Sequence, residues 1–155
     1  MIKVRLKVRG EDAYGSGAYG ASRGDREHQG VDCLNEVIEE VLAPVTGKVT
    51  KIGFPYAQEH PEPYHITGEK GKFLAKKAFR YVEFQRTKDK KYCRVMYVNP
   101  SVKVGDAVVE GETGIGTFQD LQTAYGEKMP RHIHVEVFKL LKGKKTYFNP
   151  EDELN

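Results

Sequence analysis

The chain has no tryptophan, only 2 cysteines, and 25 basic against 22 acidic residues for a net charge of +3. Two cysteines do not make a disulfide framework, and Cys33 and Cys93 lack the C-x-x-C spacing of redox and zinc-knuckle sites. The bland reading is two free thiols, pairing only if the fold brings them together. A charge so close to balance gives little attraction to anionic polymers, so nucleic-acid binding is not implied. The lysine runs at residues 88–91 and 142–145 read as solvated hairpin ends. Long apolar runs are also missing. The longest are a few residues, as at 41–45, far below the ~20 needed to span a bilayer. Residues 1–9 alternate apolar and basic side chains and lack the continuous apolar core of an export signal.

What remains is ample for folding. A length of 155 residues with 39% hydrophobic side chains, 9 Tyr and 7 Phe fits one domain with one core, residues 1–155. Period-two alternation dominates, so the expected class is all-β, an antiparallel sheet with a groove between loops. Strands are expected at residues 2–9, 46–53, 79–87 and 92–98, with a hairpin loop at 87–91. Residues 35–42 hold apolar side chains at helix-like spacing but run into Pro44, and read as a strand approach. Residues 102–111 have the form strand, Gly-Asp turn, strand, followed by a short strand at 114–118. The most regular strand is 131–141, and a short polar tail begins at Asn149-Pro150. Residues 54–72, crowded with proline and glycine, and 121–130 read as long loops.

Of 5 histidines, three fall in two tight groups, His28 with Asp32 and His132 with His134. In His132-Ile133-His134-Val135-Glu136-Val137, strand geometry sends His132, His134 and Glu136 to one face, a polar site, and the apolar residues to the other, the core. His28 and Asp32 share a side in either helical or extended backbone, and Gly30 between them permits close backbone approach. A catalytic zinc takes three protein ligands from His, Asp or Glu and leaves a position for water. Two His and one Asp meet that need, and the fourth side chain, a His, is left to move a proton or stabilise an oxyanion. Either motif alone is more often surface or groove histidines than a metal site; their joint occurrence favours a metal. Glu136 either orients a ligating His or is an ordinary exposed strand glutamate.

These residues resemble a known family. Gly20-Ala21-Ser22-Arg23, His28-Gln29-Gly30-Val31-Asp32 and Val41-Leu42-Ala43-Pro44-Val45-Thr46-Gly47-Lys48-Val49 are similar to the first half of a lysostaphin-type (LytM-like) zinc metallopeptidase domain. Val102-Lys103-Val104-Gly105-Asp106, the glycines 111–116 and His132-Ile133-His134-Val135-Glu136-Val137 are similar to the second half, in the expected order. The likeness covers about residues 14–138. It implies Zn²⁺ on His28, Asp32 and His134, His132 as the catalytic histidine, and peptides of bacterial cell-wall peptidoglycan as substrate. It also implies a groove walled by residues 14–27, 54–72 and 121–130, with Tyr14, Tyr19, Tyr56, Tyr64 and Tyr125 as candidate walls. The chain would act as a monomer or within a larger assembly, reaching the wall by phage- or lysis-type delivery.

One departure stands out. Active members carry another His in a Tyr-x-His segment before the V-x-V-G turn, and this chain reads Met96-Tyr97-Val98-Asn99-Pro100, with Asn99 nearest that slot. Asn99 can donate a hydrogen bond but cannot carry the proton of an imidazolium. His60 and His65 are either substitutes reaching in from their loop or solvent-exposed. The same segment, with the His-Gln-Gly-Val-Asp wording, resembles the leukocyte-derived chemotaxin branch, which keeps the zinc site and is regarded as a binding protein. A non-catalytic zinc module is therefore the alternative. Segments 43–49 and 104–108 also resemble biotinyl and lipoyl carrier hairpins, but no Met-Lys-Met or Asp-Lys-Ala tip is present.

Overall fold

Alternating apolar residues flanked by turn formers should give strands, and they do. A computed structural model describes residues 18–21, 29–34, 40–56, 78–119, 121 and 132–154. They form β1 (Val31–Leu34), β2 (Glu40–Leu42), β3 (Gly47–Gly53), β4 (Tyr81–Arg86), β5 (Tyr92–Met96), β6 (Val98–Pro100), β7 (Ala107–Val108), β8 (Gly114–Phe118), β9 (His132–Leu141), β10 (Lys144–Phe148) and a short helix, α1 (Pro150–Leu154). One sheet runs β1-β9-β5-β4-β3-β7, with β10 also on β9, and a smaller one runs β2-β8-β6. Every pairing is antiparallel, so the fold class is all-β. The expected strand at 2–9 lies outside the described residues.

The core lies between the sheets. Val49, Val82, Phe84, Val95, Val135 and Val137 of the large sheet pack with Val41, Val98 and Ile115 of the small one. A register shift between Val49 and Lys51 makes this possible on β3. The extra residue, Thr50, lets Val49 face inward opposite Phe84 while Lys51 faces outward opposite Glu83.

Three expectations need correction. The strand at 92–98 is broken at Tyr97, whose φ is 72°. There the chain leaves the large sheet and enters the small one as β6, held by Tyr97 N–H donating to Arg80 O at 2.8 Å and Gln119 N–H donating to Tyr97 O at 2.9 Å. The first arm of the 102–111 hairpin is not a strand. Asp106 accepts from Lys103 N–H at 2.8 Å, and Gly105 donates to Val49 O at 2.8 Å, so a turn docked on β3 takes its place and only β7 is extended. The polar tail is α1, where Asn149 Oδ1 accepts from Glu151 N–H at 3.0 Å.

Both thiols are free and buried. Cys33 stands opposite Ile133 and Cys93 opposite Val137, on either edge of β9. That offset is about 13 Å along a strand, beyond the roughly 7 Å Cα separation a disulfide tolerates.

The helix is tied to the β4–β5 hairpin by charge. Arg86, buried at the end of β4, donates to Asp89 at 2.6 Å and to Glu153 at 2.7 Å, and Lys91 reaches Glu153 at 2.9 Å. The Arg86 bond holds the Asp89 carboxyl down to about 2. Burial pushes Glu153 up, but Lys91 and Arg86 outweigh it and hold it below the usual range. Carboxyls depressed in the folded state add stability above their unfolded values, and that stability is lost as pH falls from about 4 towards 2. Glu153→Gln should cost about 1–2 kcal/mol at pH 7 by denaturant unfolding, and the gap from the wild type should close at about pH 2 to 3.

Candidate functional site

Antiparallel register builds the site row by row, because residues directly opposite one another project to the same face. At one end of the large sheet, Asp32 stands opposite His134, His134 opposite Met96, Met96 opposite Tyr81 and Tyr81 opposite Gly53. Two residues further in, Glu136, Arg94, Glu83 and Lys51 form a second row. His132, Asp32, His134 and Glu136 are all buried. The alternation of β9 sets an apolar core against a polar site, as the pattern suggested, and that polar face is itself covered. Glu136 is not an exposed strand glutamate.

The polar groups satisfy one another. His134 Nδ1 donates to Asp32 Oδ1 at 2.9 Å and Nε2 donates to Glu136 Oε1 at 3.0 Å, while His132 Nε2 lies 3.7 Å from Asp32 Oδ2. Burial works against the His134 imidazolium, but the bonds to the two carboxylates prevail and raise its pKa to about 9. Burial likewise pushes the Glu136 carboxyl up, and the contact with His134 more than offsets this, leaving it below the ordinary range.

A nitrogen and an oxygen so placed can share a cation. Donors about 2.0–2.2 Å from a tetrahedral zinc stand roughly 3–3.5 Å apart, close to the 2.9 Å between Nδ1 and Oδ1. The donor set suits zinc, which accepts imidazole and carboxylate together. Among the described residues no group of three metal-competent side chains closes around one point. The third expected ligand, His28, lies outside the described residues.

The other expected residues divide. His60, His65, Tyr14, Tyr64 and Tyr125 lie outside the described residues. Tyr19 packs against the core, its hydroxyl donating to Tyr147 O at 3.4 Å. Tyr56 shares a hydroxyl–hydroxyl bond of 2.7 Å with Tyr97. Asn99 is exposed on β6 opposite Thr117. The neighbour of His132 from this segment is instead Tyr97, edge-on with ring centroids 5.7 Å apart. Nothing in the local sequence pointed to Tyr97, because its position follows from the switch between sheets. Gly30, by contrast, behaves as its place in the motif suggested. A Cβ there would meet Val135 O and come within 2.8 Å of the His134 ring. Gly30→Ala should displace that ring and cost about 1–3 kcal/mol, read as a lower thermal midpoint.

No family model matches the chain. Among curated proteins it is 30% identical over 135 residues to leukocyte cell-derived chemotaxin-2 of Mus musculus, covering 86% of this chain and 75% of that protein. The Bos taurus protein of the same name is 29% identical over 134 residues, covering 86% and 75%. Among solved structures, a mutant catalytic domain of the prophage-encoded M23 protein EnpA from Enterococcus faecalis superposes with a TM-score of 0.56 at 16% identity, covering 97% of this chain and 93% of that one. The catalytic domain of the antimicrobial peptidase lysostaphin from Staphylococcus simulans gives 0.52 at 18% identity, covering 88% of both chains. The chain belongs to the leukocyte cell-derived chemotaxin-2 family, built on the lysostaphin-type M23 peptidase fold.

Proposed function

We propose that the chain is a zinc metalloendopeptidase that hydrolyses peptide bonds of bacterial cell-wall peptidoglycan, with His28, Asp32 and His134 as metal ligands and His132 as the catalytic histidine. The observation that carries this reading is the buried Asp32–His134 contact at 2.9 Å, with His132 Nε2 at 3.7 Å from the same carboxylate. The likeness to lysostaphin and the family motifs supports the substrate class. Delivery to the wall by phage or lysis belongs to the same proposal. No helix among the described residues is long and apolar enough to cross a membrane.

A bound zinc ion supplies Lewis-acid polarisation of the scissile carbonyl and lowers the pKa of water. The chain's own residues do the rest. Asp32 and His134 meet through adjacent strands whose ladder fixes their separation. His132 projects from the same face of β9 and takes up a proton at Nε2, or donates one to an oxyanion. The Tyr97 ring, edge-on to His132, limits the orientations that imidazole can adopt.

A second reading is favoured by Asn99, which replaces the usual histidine and is exposed. It is a zinc-bearing recognition or structural module with little turnover, in keeping with the chemotaxin relatives. Zinc content and release of peptidoglycan fragments, measured on the same preparation, separate the two. The peptidase should hold about one zinc per chain and cut. His132→Ala should retain the metal and lose about 10²–10⁴-fold in rate, whereas Asp32→Ala should lose both. Metal without hydrolysis in the wild type under several buffers would favour the module.

A further inference from the structure

The second polar row beneath the site has no part in the proposed chemistry, yet its two carboxylates are buried. Glu136 retains 7% of its exposure and Glu83 8%. Burying carboxylates is costly unless each is bonded, so the row is held by specific partners. Arg94 donates to Glu83 Oε1 through Nη2 at 2.9 Å and Nε at 3.3 Å. Its guanidinium also stacks over the Tyr81 ring at 4.1 Å. Thr50 Oγ1 donates to Glu83 Oε2 at 3.3 Å. Glu136 stands directly opposite Arg94 across the β5–β9 ladder and accepts the Nε2 proton of His134 at 3.0 Å.

We infer that Glu136 is a positioning residue: it holds the proton of His134 on Nε2 and thereby turns Nδ1 towards Asp32, with the Arg94–Glu83 pair bracing its carboxylate from the neighbouring strands. The imidazole has two nitrogens, and whichever one is bonded outward leaves the other to face a metal. His134 could otherwise flip its ring, or exchange tautomers without moving it. Because Glu136 lies two residues along the same strand, the bond needs no loop to form it, and the same-face spacing of β9 suffices. Arg94 contributes through Glu136, which it faces across the ladder.

This inference rests on the metal assignment proposed above. The test is competition of the full-length chain against a chromophoric chelator for Zn²⁺, using wild type, Glu136→Ala, Glu136→Gln and Arg94→Met, with ¹⁵N NMR of the metal-free, neutral His134 ring, recorded above its raised pKa, as a second readout. Glu136→Ala should weaken zinc binding about 10- to 100-fold and give a ring signal of mixed tautomers. Glu136→Gln, whose amide oxygen can accept the same proton, should recover most of the affinity. Arg94→Met should fall between wild type and Glu136→Ala. If Glu136→Ala does not fold, Glu136→Met fills the same space without an acceptor and carries the same expectation. A folded Glu136→Ala or Glu136→Met variant with wild-type affinity and a single Nε2–H tautomer would overturn this inference alone. Failure of the wild type to take up zinc would overturn the metal assignment and this inference with it.

Discussion

The contact between Asp32 on β1 and His134 on β9 is the constraint on which the site depends. It exists because β1 lies against β9 in one particular register. A slip of one residue would turn Asp32 towards the core and Cys33 towards the site, reversing every side chain of the strand. The apolar residues of β9, Ile133, Val135 and Val137, oppose any such slip because their burial defines the inward face. Hydrophobic packing on one side of the strand thus sets the electrostatic geometry on the other.

The polar face is not an open surface on which charged groups were free to drift. His134 is shared between two carboxylates, and one of these stands beside an arginine that bonds a third. In water such contacts contribute little, but in a buried row each removed partner strands the next, so the row behaves as a unit. Gly30 belongs to this economy of space: the backbone just before β1 comes so close to the His134 ring that no side chain fits between them. At the other end of the molecule, the Arg86–Glu153 contact ties α1 to the hairpin without touching the site.

Tyr97 links fold and site differently. A bulky residue at φ 72° adopts a conformation that costs about 1–3 kcal/mol. It is held by backbone bonds to Arg80 and Gln119, by the Phe79 ring with centroids 5.1 Å apart and by the Tyr56 hydroxyl. The same turn that carries the chain from one sheet to the other places this ring against His132 and leaves Asn99 on the exposed side of β6. It sets a buried tyrosine, edge-on, beside His132.

Much of this was readable in the sequence by itself. Alternation in β9, the Gly-Asp turn and the glycine between the His and Asp of the first motif are short-range features, governed by backbone period and local sterics, and they led to an all-β fold and to Asp32, His132 and His134. The tertiary structure decided what depends on long-range pairing. It buried both faces of β9 and recruited Glu136, Arg94 and Glu83 into one row, separated Cys33 from Cys93, and exchanged Asn99 for Tyr97 at the side of His132. No local pattern records which strand a residue will lie against, and that is the physical reason the sequence could name the side chains of the site but not their partners.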